Sequence, residues 1–263
     1  MYQNILTEID AGVGIITLNR PERHNAFDDA LIGELSAAID FMAVEPAVRV
    51  LVISSVGKSF CAGADLNWMK RAAGYSSEEN LRDSRALAEM LRRLAQCPKP
   101  TIARIQGPAY GGGVGLVACC DVAIATFDAA FALTEVKLGI IPAVISPHVI
   151  AAIGERYARR YMLTAERFSA AEAYRIGLLH EIVADDTALD EAVGEIVDTL
   201  LNNGPRALAE CKELVAAVAW KPLSPDVIED TAQRITRLRA SAEGREGMTA
   251  FLEKRKPSWI VQG

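Results

Sequence analysis

Three short segments of the sequence carry residue types that could do chemistry. The first, residues 60–65, is a tight turn containing Gly63, between a strongly apolar run and the start of a helix at Asp65. Because glycine reaches backbone conformations that other residues avoid, such a turn can point its N–H groups outward toward a ligand. The alternative is an ordinary strand-to-helix turn in which Asp65 serves only as the N-cap residue.

The second segment, residues 107–113, ends in the triplet Gly111, Gly112 and Gly113 and joins a predicted strand to a short helix. Its amides would lie at the positive end of a helix dipole, which suits an anion. The stretch is not a P-loop, because no Gly-Lys-Ser/Thr follows, and it lacks the spacing of the dinucleotide fingerprint. A phosphate and the developing oxyanion of a carbonyl group both remain open as ligands.

Glu135 is the third candidate, because it is the only carboxylate among residues 129–154 and its neighbours are largely apolar. Apolar surroundings desolvate a carboxylate, which favours its neutral form and suits it to proton transfer. A surface glutamate paired with Lys137 or with an arginine is the alternative.

The elements that must position these segments alternate between strand and helix up to Pro147, and helices dominate after it. We predict strands at residues 13–18, 49–56, 101–106, 122–126 and 181–183. We predict helices at residues 77–97, 114–120, 155–163, 169–176, 189–201, 205–219, 225–238 and 242–254. This order predicts an α/β fold with a mostly parallel sheet and an α-helical C-terminal part.

Two further helix starts and one boundary follow from local signals. The apolar spacing of residues 27–42 predicts a first helix with Asn25 as its N-cap, while Ser146 and Pro147 can begin another. The loop-like residues between 185 and 205 predict a core of residues 1–200 and a helical region of residues 201–263.

The overall composition excludes several classes of protein. A net charge of −6 and a pI near 5.3 argue against a general nucleic-acid surface. Five cysteines without a Cys-x-x-Cys pair and three scattered histidines predict no metal site and a reducing compartment. We see no secretory signal and no run of the roughly 20 apolar residues that a bilayer span needs, so we expect a cytoplasmic protein without a membrane anchor.

Taken together, the segments resemble the enoyl-CoA hydratase/isomerase (crotonase) family from the first strand to the C-terminus. The family-like stretches occur in the family order at residues 18–21, 25–26, 60–66, 105–113, 120–121, 135–142 and 247–255. The resemblance implies a crotonase-like ββα spiral core with a C-terminal α-helical region that builds a trimer, often paired into a hexamer. It also implies an acyl-CoA thioester substrate and no cofactor beyond the coenzyme A moiety.

The resemblance also implies roles for individual residues. The backbone N–H groups of Ala64 and Gly112 would form an oxyanion hole, and Glu135 would be the acid/base. The family's hydratases carry a second glutamate on the helix after the glycine triplet, but Gly115 stands there in this chain.

Coenzyme and acyl contacts are implied in the same way. The loop with Arg20, Arg23 and His24 would border the coenzyme, the backbone of residues 62–65 would meet the adenine, and Phe251 with Lys254 would reach it from a neighbouring subunit. The residues expected to bind the coenzyme are Arg20, Arg23, His24, Ala62, Asp65, Leu66, Phe251 and Lys254. The residues expected around the acyl pocket are Gly111, Gly115, Trp68, Val144 and His148.

Three functions stay open at this point. Residues 143–148 depart from the family's commoner glycine-rich pattern, and together with residues 114–121 and 134–142 they look most like bacterial hydratases of methylglutaconyl-CoA and related branched acyl groups. The first hypothesis is therefore an enoyl-CoA hydratase. A Δ3,Δ2-enoyl-CoA isomerase using Glu135 alone is the second, and a coenzyme A-binding or RNA-binding protein without turnover is the third.

Overall fold

The fold is that of a computed structural model, which describes residues 2–260. Its strands are β1 (Ile5–Asp10), β2 (Val13–Leu18), β3 (Val50–Ser55), β4 (Thr101–Ile105), β5 (Ala109–Tyr110), β6 (Val122–Thr126), β7 (Ala130–Ala132), β8 (Phe168–Ser169) and β9 (Glu181–Val183). Its α-helices are α1 (Asp29–Val44), α2 (Leu66–Ala72), α3 (Ser77–Ala95), α4 (Gly112–Cys119), α5 (Ser146–Thr164), α6 (Ala170–Arg175), α7 (Asp186–Leu201), α8 (Pro205–Val218), α9 (Pro225–Ala240) and α10 (Ala242–Leu252). Short 3₁₀ turns occupy Pro21–Arg23 and Glu135–Leu138.

The main sheet has six strands in the order β1-β2-β3-β4-β6-β9. Only β1 runs antiparallel to its neighbour, so the predicted mostly parallel sheet is confirmed. Every residue of β3 is buried, because Leu51 and Ile53 face the main core while Val50 and Val52 face the cluster under α7. A parallel strand covered on both faces is what its unbroken apolar run predicts.

A second sheet of three short strands, in the order β5-β7-β8, was not predicted. In its parallel pair, Tyr110 lies beside Ala132, and the amide of Gly111 donates to the carbonyl oxygen of Ala132 at 2.9 Å. The glycine triplet begins directly after β5, and Glu135 follows β7 by three residues. These strands of two or three residues therefore bring two of the three candidate segments together.

Asn25 does not cap α1, which corrects the prediction. Asp28 is the N-cap, since its side chain accepts from the amide of Leu31. Asn25 instead adopts a left-handed backbone with a φ of 55°, and its side chain is fully buried. Its Oδ1 accepts from the amide of Arg20 at 2.8 Å, and its Nδ2 donates to the carbonyl oxygens of Val56 and Ser59, each at 2.9 Å. The side chain thus ties the loop after β2 to the loop after β3.

Helix α5 begins earlier than the predicted residues 155–163 and contains a kink. Gly154 has a φ of 73° and interrupts an otherwise continuous helix. The first half starts at Ser146, as the Ser-Pro pair indicated, but the Ser146 hydroxyl donates to the carbonyl oxygen of Ala143 and caps no amide. The predicted segment is therefore only the second half of α5.

The C-terminal helices α8, α9 and α10 bury little of their own surface, and Ala250 is the only buried residue recorded in them. Large apolar side chains stay exposed on and between them: Val215, Trp220, Leu223, Ile228, Ile235, Met248, Phe251 and Leu252. The division into residues 1–200 and 201–263 stays a prediction, and residues 261–263 lie outside the described part of the chain. Among the helices of residues 2–260, none combines the length and the apolar character that crossing a membrane requires.

Replacing Asn25 with alanine should destabilise the fold. The substitution leaves the buried amide of Arg20 and the carbonyl oxygen of Val56 without partners, and a buried unsatisfied group costs about 1–3 kcal/mol. The carbonyl oxygen of Ser59 loses one of its three donors. We expect N25A to lower the free energy of unfolding by about 3 kcal/mol in urea denaturation at fixed protein concentration. The matched control is N67A, because Asn67 is exposed and no hydrogen bond of its side chain is described. Equal stabilities of the two variants would contradict this role.

Candidate active site

The three candidate segments line one cleft with a volume of about 690 Å³. Ala64 comes from the first glycine turn, Gly111 and Gly112 come from the second, and Glu135 follows β7. Leu66 and Ile141 lie at its mouth with exposed fractions of 74% and 71%, while Trp68 is half-buried against the core. The cleft therefore runs from an open apolar mouth to a partly buried inner end.

The two glycine turns contact each other backbone to backbone. The amide of Tyr110 donates to the carbonyl oxygen of Cys61 at 2.9 Å, and a Cβ atom added to Gly113 would lie 2.3 Å from the same oxygen. A Cβ atom on Gly63, which has a φ of 87°, would lie 2.9 Å from the carbonyl oxygen of Tyr110. No larger residue fits at either position without displacing backbone, so the glycines set the separation of the turns.

Two residues at this junction, Ala64 and Gly112, line the cleft with amides that donate to no acceptor within residues 2–260. Gly112 is the first residue of α4, so its N–H group has no partner within the helix. The amide of Phe27 donates to the carbonyl oxygen of Gly63, and the carbonyl oxygen of Phe27 accepts from the amide of Asp65. The amide of Ala64, between these two residues, is not used in this pairing. Within residues 2–260, neither the amide of Ala64 nor that of Gly112 has a recorded hydrogen bond to an acceptor. Two such donors suit an oxygen atom that becomes negatively charged.

Glu135 directs its carboxyl group over the second turn. Its Oε1 lies 3.0 Å from the position of a Cβ atom on Gly111, and its Oε2 is buried without a hydrogen-bond partner in the described residues. Burial raises the pKa of Glu135 above its ordinary value. Within the described part of the chain, Glu135 forms no salt bridge with Lys137 or with an arginine, which the surface-pair alternative requires. The carboxyl group is available to exchange a proton with a ligand.

At the position of the family's second glutamate, this chain has Gly115, and a neighbouring side chain occupies the space that a glutamate would need. A Cβ atom on Gly115 would lie 2.4 Å from Cγ2 of Ile145, which is buried and lines the cleft. Gly115 itself does not line the cleft, which corrects its expected place in the acyl pocket. A longer side chain here would require Ile145 to move, so Glu135 is the only carboxylate among the lining residues described.

Trp68, Val144 and Gly111 line the cleft as predicted, whereas His148 does not. His148 lies on the first turn of α5, outside the lining set, and burial lowers its pKa. Sequence reasoning assigned no role to several further lining residues: Phe27, Asn80, Ser84, Thr134, Leu138, Ile140 and Ile141. Of these, Phe27 lies 2.9 Å from the position of a Cβ atom on Gly112, so it fixes the start of α4.

Arg20 has a structural position, which corrects its expected place beside a ligand. Its side chain is 6% exposed, contacts Asp28 at 2.7 Å and Asp65 at 3.7 Å, and donates to the carbonyl oxygen of Ala26. Arg23 and His24 are exposed on the same loop. Contact of Arg23 and His24 with a coenzyme stays a prediction.

The loop around His24 and the first glycine turn are joined directly. The amide of Ala62 donates to the carbonyl oxygen of His24 at 3.0 Å. Asp65 is buried and caps α2 by accepting from the amides of Asn67 and Trp68. Burial alone would raise the pKa of Asp65, but these amides and Arg23 outweigh it and lower the pKa. Asp65 therefore shapes the turn with its side chain, while Ala62 and Leu66 reach the cleft.

Phe251 and Lys254 do not line the cleft of their own chain. Phe251 is 82% exposed at the end of α10, and Lys254 follows with a left-handed φ of 55°. Their contact with the coenzyme of a neighbouring subunit stays a prediction. Among residues 2–260, no group of three or more His, Cys, Asp and Glu side chains is arranged to hold a metal ion.

Comparisons with known proteins identify relatives of the whole chain. Residues 8–262 match the family model described as enoyl-CoA hydratase/isomerase. A crotonyl-CoA hydratase of Syntrophomonas wolfei is 34% identical, with 98% of this chain and 98% of the relative covered. The mevalonyl-coenzyme A hydratase sidH of Aspergillus fumigatus is 34% identical, with 93% and 90% covered.

A solved structure of an enoyl-CoA hydratase from Shewanella pealeana shares the fold. It superposes with a TM-score of 0.95 at 43% identity, and the match covers 98% of this chain and 96% of that chain. The predicted fold class, a crotonase-like α/β core followed by helices, is confirmed.

The raised pKa of Glu135 should make the stability of the protein depend on pH. The folded chain keeps the proton of Glu135 over a range in which the unfolded chain has lost it, so this contribution falls as pH rises above the ordinary value of 4.5. A glutamine cannot titrate. The stability of wild type relative to E135Q should therefore decrease from about pH 4 upward and level off above the raised pKa, as measured by urea denaturation. A difference that is constant across this range would contradict the burial of the carboxyl group.

Proposed function

The chain belongs to the enoyl-CoA hydratase/isomerase family and is an enzyme of the hydratase type, and we propose that it adds water across the α,β-double bond of an acyl-CoA thioester. The observation that carries the proposal is the meeting of two free amides and one unpaired carboxyl group in a single cleft. We propose that the amides of Ala64 and Gly112 form the oxyanion hole and that Glu135 moves the proton.

In this mechanism the thioester oxygen lies between the two amides. Water attacks the β-carbon, and the electron pair of the double bond moves toward the thioester oxygen to form an enolate. The amides stabilise that negative charge, and each such donor is worth on the order of 10²–10³ in rate. The positive end of the α4 dipole adds to the effect at Gly112.

Glu135 completes the addition. Its carboxylate accepts a proton from the attacking water as the C–O bond forms, and the carboxyl group then delivers a proton to the α-carbon as the enolate collapses. The sum is one water molecule added, with the carboxylate restored. Because burial raises its pKa, Glu135 is a stronger base than an exposed glutamate when ionised.

One observation favours the isomerase as a second candidate function. Ile145 occupies the space beside Gly115, so Glu135 is the only carboxylate among the described lining residues. A single carboxylate suffices to take a proton from the α-carbon of a 3-enoyl thioester and return it to the γ-carbon. The oxyanion hole would serve this reaction without change.

We propose a branched, methylglutaconyl-like acyl group as the natural substrate. The resemblance of residues 143–148 to such hydratases supports it, as does the name of the mevalonyl-coenzyme A hydratase relative. Within residues 2–260, no Lys, Arg or His lines the cleft, so a second substrate carboxylate would rely on Asn80, Ser84 and Thr134 or on a neighbouring copy.

We also propose a homo-oligomer, a trimer or a pair of trimers, built through the C-terminal helices. The exposed apolar side chains of α8–α10 support it, because a lone chain would leave them in water. In such an assembly Phe251 and Lys254 would reach the coenzyme of the next subunit. Five free cysteines accord with a reducing, cytoplasmic location.

A panel of thioesters tests the proposed reaction. We expect the enzyme to convert crotonyl-CoA or 3-methylglutaconyl-CoA into the 3-hydroxyacyl product. The conversion is measured by separating the thioesters and determining their masses. Fast double-bond migration in 3-butenoyl-CoA without hydration of any 2-enoyl thioester would replace the hydratase with the isomerase. Binding without either reaction would leave the coenzyme A-binding alternative.

Replacing Glu135 with glutamine tests the assigned proton carrier. We expect E135Q to lower kcat by at least about 100-fold, because general acid–base catalysis contributes 10²–10⁴ in rate. Binding of a saturated acyl-CoA, measured by calorimetry, should change little, since the amides of the oxyanion hole remain. E78Q is the control, because Glu78 is an exposed glutamate outside the lining set. Unchanged turnover of E135Q would reject the role.

A further inference from the structure

We propose that the indole of Trp68 forms the inner wall that limits the length of the acyl chain, and that Asp83 is the positioning residue that holds this wall. The proposal rests on the proposed function, because it assigns the acyl end of the same cleft. It limits the substrate class to thioesters with a short acyl chain.

The exposure of the lining residues separates the two ends of the cleft. Leu66 and Ile141 are largely exposed, whereas Trp68, Leu87 and Val144 are half-buried and pack against the main core. Coenzyme A is large and highly charged, so it must remain on the exposed side. The acyl chain beyond the thioester therefore points toward the inner end that contains Trp68.

One hydrogen bond fixes the indole in place. Nε1 of Trp68 donates to Oδ2 of Asp83 at 2.7 Å, a short, charge-assisted contact between α2 and α3. Asp83 and Leu87 lie one helical turn apart on α3, so the acceptor and the neighbouring wall residue share one face of that helix. The indole and Leu87 are thus held by the same helix.

Helix α2 has little else to hold it. It is seven residues long and has no buried residue. Its other recorded side-chain ties are the N-cap from Asp65 and an exposed ion pair of Arg71 with Asp29 at 2.5 Å. Exposed ion pairs contribute little, so the indole is held by its packing against the main core and by its hydrogen bond to Asp83. The hydrogen bond is the contact that fixes the orientation of the indole ring, so we infer that its loss widens the inner end.

Chain-length selectivity provides the test. We measure kcat/KM for 2-enoyl-CoA thioesters of four to ten carbons with wild type, W68L, W68F, D83L and D83N. We expect W68L to raise the ratio of the eight-carbon to the four-carbon substrate by at least roughly 10-fold, because space for further methylenes is worth about 10–200-fold in selectivity. W68F and D83L, which lose the donor and the acceptor, should shift the ratio in the same direction by a smaller factor.

Two controls separate positioning from general damage. D83N keeps an oxygen acceptor for the indole N–H and should retain the wild-type ratio. R85L places a leucine on the same helix, at an exposed position outside the lining set, and should also retain it. An unchanged ratio in W68L would overturn the proposal for Trp68. A shift in D83N as large as that in D83L would overturn the proposal for Asp83.

A second readout keeps the result independent of turnover. The dissociation constants of butyryl-CoA and octanoyl-CoA, measured by calorimetry with the same variants, show whether the inner end accepts the longer chain. If wild type hydrates none of the thioesters, the proposed reaction fails, but the ratio of the two dissociation constants still decides the role of Trp68. If W68L does not fold, W68F and D83L decide it alone.

Discussion

Close backbone contact between two glycine turns is the constraint on which the site depends. A Cβ atom on Gly113 would lie 2.3 Å from the carbonyl oxygen of Cys61, which is far inside van der Waals contact. The turns can approach only because the side chain is absent, and this approach brings Ala64 and Gly112 to one cleft. Backbone donors held in this way need no reorganisation when charge develops on a ligand.

The short second sheet supplies the remaining component of the site. Pairing of Tyr110 with Ala132 places the strand before the glycine triplet beside the strand before Glu135. The carboxyl group then lies over Gly111, partly removed from water, with one oxygen unpaired. An unpaired buried carboxyl group costs stability. Proteins retain such groups where the proton is used, which relates the raised pKa of Glu135 to the proposed chemistry.

The two sides of the cleft differ in the contacts that hold them in place. One side of the cleft belongs to α4 and to the turn that contains the buried Cys61, whereas the side with Trp68 belongs to α2, a helix without a buried residue. The amides of Ala64 and Gly112 are therefore placed by backbone contacts, whereas the position of Trp68 depends on side-chain contacts. Under the proposed function, such a division allows the acyl selectivity to change without disturbing the proposed oxyanion donors.

The sequence by itself determined the fold class, the family and the chemical candidates. Residues 122–126 and 181–183 are strands with the predicted bounds, because β-branched runs flanked by turn residues indicate structure locally. The glycine turns and Glu135 were also identified from residue type. Their mutual distances were not, since β5 and β7 have two or three residues each, too few for a periodic signal.

Tertiary structure decided which of the implied residues can reach a ligand. Arg20 looks like a surface cation in the sequence, yet Asp28 and Asp65 enclose it, and Asn25 ties two loops instead of capping a helix. His148 lies outside the cleft, and Ile145 fills the space beside Gly115. These outcomes depend on contacts between residues distant in sequence. Local propensity carries no information about such contacts, because the free energy of burial and pairing arises only when the chain has folded.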